Sequence, residues 1–194
     1  MTSTKSEALL HTPGHVKHDG HNLTGFIIFL CSESIIFFAF FVGYGVLKIT
    51  APTWYPDGVT GIAVREPLIN TVILVSSSFV IYFAERYLHK KNYWGFRIVW
   101  LITMLMGSYF VYGQYVEWSE LTFSLGSGVF GGLFYLLTGF HGLHVITGIL
   151  LMGLMLYRSF IPGNYDKGEM GVESVSLFWH FVDVIWIILF ILIY

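Results

Sequence analysis

The sequence predicts an all-α membrane protein, a bundle of five transmembrane helices with short connections and no water-soluble domain. Only 11% of the residues are charged while 55% are hydrophobic, whereas soluble domains carry about 25% charged residues. Five apolar runs each reach the roughly 20 residues that a helix needs to cross a bilayer. They are too long and too continuous for barrel strands of about 9–11 alternating residues. The net charge of −2 gives no reason to expect nucleic acid as a partner.

Residues 1–23 read as a polar arm carrying His11, His15, His18 and His21. Their spacing of three and four residues would suit a metal only on a continuous helix, and Pro13, Gly14 and Gly20 interrupt one. The arm lacks the apolar core of a secretory signal peptide, so the first span is expected to direct its own insertion. That span, about 24–48, contains Cys31 and Glu33. Cys31, the sole cysteine, reads as a small buried packing residue. Glu33 lies about 14 Å from the start of the span at 1.5 Å per residue, near mid-bilayer. A carboxylate at that depth must be protonated, paired or both.

Span two, about 68–88, follows Pro67, which costs no hydrogen bond in a first turn. Asn70 can bond across helices, and Ser76, Ser77 and Ser78 can bond back to helix carbonyls. Glu85 and Arg86 close this span, where long side chains reach headgroups. Span three covers about 95–116. Span four, about 129–157, contains Gly139-Phe140-His141-Gly142-Leu143-His144-Val145-Ile146-Thr147-Gly148. The i, i+3 spacing puts both imidazoles on one side of the helix, and the glycines let a neighbour approach closely. Span five, about 174–194, places His180 and Asp183 at the same spacing.

Loop charge sets the orientation. Lys5, Lys17, Arg86, Lys90, Lys91, Arg97, Arg158 and Lys167 fall on the side of the N-terminus, against Lys48 and Arg65 on the other. The N-terminus is therefore expected in the cytoplasm and the C-terminus outside.

Three spans thus carry ionisable groups that could meet in the bundle interior. On residues alone three readings stay open: a neutral network that fixes packing, proton handling as in a proton-coupled transporter, or a redox metal such as a haem held between histidines. The zinc-protease pattern His-Glu-x-x-His is absent. A di-iron site would need more deep carboxylates than Glu33 and Asp183.

Several stretches then resemble signatures of subunit III of haem–copper cytochrome oxidases. They are Phe140 to Val145, Phe178 to Trp186, Ser32-Glu33-Ser34 followed by Phe37, Phe38, Phe40 and Phe41, Pro67 to Thr71, and Gln114 to Trp118. They occur in the same order and spacing over about 24–194. The resemblance implies a subunit of a proton-pumping terminal oxidase, with no haem and no copper on this chain and both in partner subunits. It implies direct contact with subunit I, a complex with subunit II, and tightly bound phospholipid. Glu33 matches the family's buried, carbodiimide-reactive glutamate. His141, His144, His180, Asp183 and Glu173 match motif positions whose roles read as structural or proton-related, and Arg158 matches an arginine associated with lipid headgroups. The mitochondrial form has seven helices, and this chain reads as the five-helix bacterial form without the first two. The implied function is cytochrome c oxidation in aerobic respiration. A quinol oxidase is the alternative, and a free-standing transporter is the alternative of another class. The implied location is a bacterial cytoplasmic membrane, or a thylakoid membrane, since the loop 162–168 is similar to cyanobacterial members.

Overall fold

The computed structural model describes residues 19–56, 59, 61–165 and 169–194. Five helices follow one another: α1 (Asp19–Thr50), α2 (Arg65–His89), α3 (Tyr93–Glu120), α4 (Gly128–Arg158) and α5 (Met170–Ile193). All five are long and apolar enough to cross a membrane, and no strand occurs among the described residues. Hydrocarbon offers no partner to a bare peptide group, so each segment satisfies its own N–H and C=O groups as a helix. α3 runs on through Glu117-Trp118-Ser119-Glu120, beyond its apolar stretch, because polar residues extend a helix as readily once it is nucleated. α1 likewise starts at Asp19, so His21 belongs to its first turn, while His11, His15 and His18 lie outside the described residues.

The helices alternate in direction. One end of the bundle holds the start of α1, the α2–α3 turn and the α4–α5 loop. The other holds the remaining two loops and the C-terminus. α2, α3, α4 and α5 form a closed ring in which each packs on the next and α5 returns to α2. α1 stands outside the ring and packs only on α4 and α5. Most of its circumference therefore has no neighbour among the described residues, which corrects the expectation for Cys31. The thiol is exposed on the outer surface of α1, not buried in a core.

Tryptophans span the ring from α5. Trp179 is fully buried, and its ring lies between Gly107 of α3 and Gly148 of α4. A Cβ at Gly107 would meet the ring at 2.5 Å, and one at Gly148 at 2.8 Å. The indole N–H donates to Ser77 Oγ of α2 at 2.8 Å. Four helices thus meet at one side chain. About two turns further along α5, Trp186 packs on Phe110 of α3 with centroids 4.7 Å apart and donates to Thr71 Oγ1 of α2 at 2.8 Å. Small residues opposite large ones replace the hydrophobic drive that lipid does not supply between helices.

Asn92 organises the tight α2–α3 turn. Its N–H donates to Tyr87 O at 2.9 Å, and its Oδ1 caps α3 by accepting from Gly95 N at 3.0 Å. Beyond α4, the buried Tyr165 donates its phenol to Met155 O at 2.6 Å, giving a partner to a carbonyl of the last helical turn. Burial pushes this phenol up to about 12, an effect that the neighbouring Arg158 opposes. Tyr165→Phe is expected to lower stability by about 0.5–1.5 kcal/mol at neutral pH. The folded-state value is raised above the usual ~10, so the phenol's contribution is complete below pH ~10 and fades as pH rises towards 12. Thermal melts of both chains at neutral and alkaline pH check this: a gap that does not narrow above pH ~10 would contradict it.

Candidate functional site

The polar residues of the spans separate into three groups. The first joins α1 to α4. Glu33 Oε2 lies 3.2 Å from His144 Nε2, with the two side chains 17% and 10% exposed. The other imidazole nitrogen, Nδ1, lies 2.8 Å from Phe140 O on the preceding turn. A carbonyl oxygen only accepts, so Nδ1 carries a hydrogen. Nε2 is the nitrogen that faces the Glu33 carboxyl group. Rings of Phe37 (5.1 Å), Phe140 (4.8 Å) and Phe178 (6.2 Å) surround the imidazole. These apolar walls strengthen the electrostatic part of the bond.

The second group joins α2 to α5. Ser78 donates its hydroxyl to Asp183 Oδ2 and lies 3.0 Å from His180 Nδ1. With the hydroxyl hydrogen directed to the carboxylate, His180 Nδ1–H donates to the serine oxygen, giving a three-membered chain from His180 through Ser78 to Asp183. Asp183 is buried, and its Oδ1 has no hydrogen-bond partner among the described residues. Ser76 and Ser77 do bond back to Val72 O and Leu74 O, both at 2.6 Å, but Ser78 turns outward from its helix to serve α5.

His141 forms the third group by itself. It is fully buried between Trp186, centroids 4.9 Å apart, and Phe110 at 5.9 Å. Neither ring nitrogen has a partner among the described residues. The i, i+3 spacing rotates His144 about 60° from His141, which turns one to α1 and the other into the ring. The ionisable residues of the spans therefore do not form one network. Among the described residues no three of His, Cys, Asp and Glu lie close enough to hold a metal ion.

Arg158 ends α4. Its Nη2 donates to Asn164 Oδ1 at 3.3 Å, and Asn164 Nδ2 returns a bond to Arg158 O at 3.1 Å. Glu173 is exposed in the first turn of α5. Asn70 packs on Gly113 of α3, where a Cβ would meet its amide at 2.1 Å.

The family model for cytochrome c oxidase subunit III matches residues 6–194. The chain belongs to the cytochrome c oxidase subunit III family. It is similar to cytochrome c oxidase subunit 3 of Thermostichus vulcanus, 43% identical over 92% of this chain and 89% of the relative. It is similar to that of Synechocystis sp., 41% identical over 95% of this chain and 81% of the relative. The subunit of Rattus norvegicus is 37% identical over 88% of this chain and 67% of its own length. Membership in the subunit III family places the chain in a terminal oxidase, a membrane-bound oxidoreductase assembly of several subunits.

Two features of the site escaped sequence reasoning. Ser78 carried no signal that set it apart from Ser76 and Ser77. The choice of His144 over His141 as the partner of Glu33 was equally invisible, because it depends on α1 lying outside the ring.

Proposed function

We propose that this chain is a cofactor-free, non-catalytic subunit of a proton-pumping cytochrome c oxidase in aerobic electron transport. In this reading it lies against subunit I, which holds the oxygen-reducing haem and copper, within a complex that includes subunit II. It supports proton uptake into subunit I, retains phospholipid at Arg158, and prolongs the life of the catalytic subunit during turnover. Its N-terminus faces the cytoplasm of a bacterial cell or lies on the corresponding side of a thylakoid membrane. The relatives, cytochrome c oxidase subunits by name, support cytochrome c as donor over quinol.

The observation that carries the proton role is the Glu33–His144 contact of 3.2 Å. Two titratable groups in contact, next to a helix with an open outer face, form a donor that a neighbouring subunit can draw upon. His180, Ser78 and Asp183 are a second proton-bearing chain, and His141 is a packing residue.

Glu33→Gln keeps the shape and removes the titrating group. The variant oxidase is expected to assemble, with impaired proton uptake or a shortened turnover lifetime. Pumping stoichiometry and activity decay in proteoliposomes check this, and wild-type values for both would make the glutamate structural only. Purification through a tag on this chain tests the assignment as a whole. Haem absorbance is expected to arrive with a large multi-helix partner. A lone colourless chain would favour a free-standing transporter.

A further inference from the structure

A stripe of polar residues runs along the seam between α2 and α5. On α2 it consists of Ser78, Tyr82, Glu85 and His89, and on α5 of Glu169, Glu173, Ser176, His180 and Asp183. Both rows step by alternating intervals of three and four residues, which keeps each on one side of its helix. Contacts at the two ends fix their register. At the surface His89 Nδ1 lies 2.6 Å from Glu169 Oε2. Eleven residues deeper on both helices, His180 Nδ1 lies 3.0 Å from Ser78 Oγ, which donates to Asp183 Oδ2. Eleven helical residues span about 16 Å, so the stripe leads from the end of the bundle to a buried carboxyl group well inside the apolar region.

The stripe does not use up its own hydrogen-bonding groups. Ser176 Oγ and Asp183 Oδ1 are buried without a partner among the described residues. A network that served packing alone gains nothing from stranding them, since each unmet bond costs about 1–3 kcal/mol. Between the two ends, Glu85 is half-buried and is the charged group that acts on His180. Neighbouring members of each row lie about 5–6 Å apart at Cβ, within the swing of a glutamate or an imidazole.

Neither row contains a lysine or an arginine, so no fixed positive charge in the stripe opposes a proton. Other charges stand at its mouth or away from it. Arg86 lies over the Tyr82 ring at 4.8 Å, and Lys90 and Lys91 are exposed on the adjoining turn. From α4, Arg158 approaches α5 at Gly171, while His144 and His141 face Phe178 and Trp186. From α1, Glu33 is engaged with His144. From α3, Arg97 is tied to Ser159, and Glu117 meets Tyr194 at the opposite end.

We propose that this seam conducts protons between the surface pair His89–Glu169 and the carboxyl group of Asp183, with Glu85 and His180 as intermediate carriers. The inference rests on reading His180, Ser78 and Asp183 as a proton-bearing chain. In the inner step a protonated Glu85 gives its proton to His180 Nε2. The Nδ1 proton passes to Ser78 Oγ as the serine hydroxyl proton passes to Asp183 Oδ2. Glu85 ends as a carboxylate, Asp183 as a carboxyl group, Ser78 as a hydroxyl, and His180 as the neutral tautomer with its hydrogen on Nε2. Uptake at His89 and Glu169 then returns a proton to Glu85, so that one proton has moved from the surface to Asp183.

Infrared spectroscopy of the full-length chain in orientation-sorted vesicles tests this. The carboxyl band that Asp183→Asn removes marks Asp183, and its response is timed after a pH step on the side of the N-terminus. Glu85→Gln is expected to slow that response by about 10²-fold, the lower end of what a positioned proton donor contributes. His89→Gln is expected to slow it less, because Glu169 still takes up protons. Glu85→Asp keeps the acid and is expected to fall between Glu85→Gln and wild type; it also serves should Glu85→Gln fail to fold. A band that does not follow pH in wild type overturns both the proton-bearing chain and the route. A wild-type rate in the folded Glu85 and His89 variants, or a response only to pH on the opposite side, overturns the route and leaves the chain of His180, Ser78 and Asp183 standing.

Discussion

Trp179→Ala is expected to destabilise the bundle by about 3–5 kcal/mol, the cost of emptying a large aromatic site in a packed core. The ring fills the gap between Gly107 and Gly148, where Phe178 is the other α5 side chain nearby, 3.4 Å from a Cβ at Gly148. Backbones at glycine cannot extend into the void, so the cavity stays open or the helices shift. Trp179→Phe separates packing from hydrogen bonding. It keeps most of the volume and loses the indole donation to Ser77 Oγ, while Ser77 retains its own bond to Leu74 O. A loss of about 1–2 kcal/mol is expected for it. The reverse error, Gly107→Leu, forces a side chain into a space where even a Cβ would sit 2.5 Å from the ring, and overpacking of this kind costs about 1–3 kcal/mol or more. Denaturation of the detergent-solubilised chain, followed by circular dichroism, measures all three. A Trp179→Ala chain within about 1 kcal/mol of wild type would show that the four-helix junction is not where the bundle is held.

His144→Leu is expected to release α1. Among the described helices it packs only on α4 and α5, and in its middle the Glu33–His144 contact is its polar tie. Removing the imidazole leaves a carboxyl group in hydrocarbon without its partner, worth about 1.5–3 kcal/mol for a charge-assisted bond. Glu33→Leu removes the other partner and leaves an imidazole that still has Phe140 O, so its cost is smaller. The double variant Glu33→Leu with His144→Leu is expected to recover much of the loss, because neither group is then stranded. Labels on α1 and α4 report docking by distance, and the cycle gives the coupling directly. Additive single effects would mean that the contact carries no coupling, and that α1 is held by its aromatic face alone.

Hydropathy alone revealed the number and placement of the helices, because hydrocarbon admits few alternatives to a continuous helix. Glu33, His144, His180 and Asp183 stood out for an equally simple reason: each is costly at its depth and must have been retained against that cost. Their pairing was not legible. The helices are apolar on all sides, since lipid and protein interior reward the same residues, so no periodic pattern distinguishes inward from outward faces. Cys31 was misplaced on that account. The junction at Trp179 depends on two glycines from different helices, 41 residues apart in the chain, and on a serine from a third. Nothing in any single segment marks such a meeting point.

The position of α1 outside the ring also bears on how the chain is made. α1 is synthesised first, yet both of its docking surfaces belong to the last two helices. Glu33 precedes its partner by 111 residues. At about 5–20 residues per second, the ribosome needs roughly 6–22 s to deliver His144 after Glu33 has entered the bilayer. During that interval α1 crosses the membrane as an orphan, and its carboxyl group must remain protonated or be sheltered by the insertion machinery. The contact between Glu33 and His144 can close only once α4 has arrived in register.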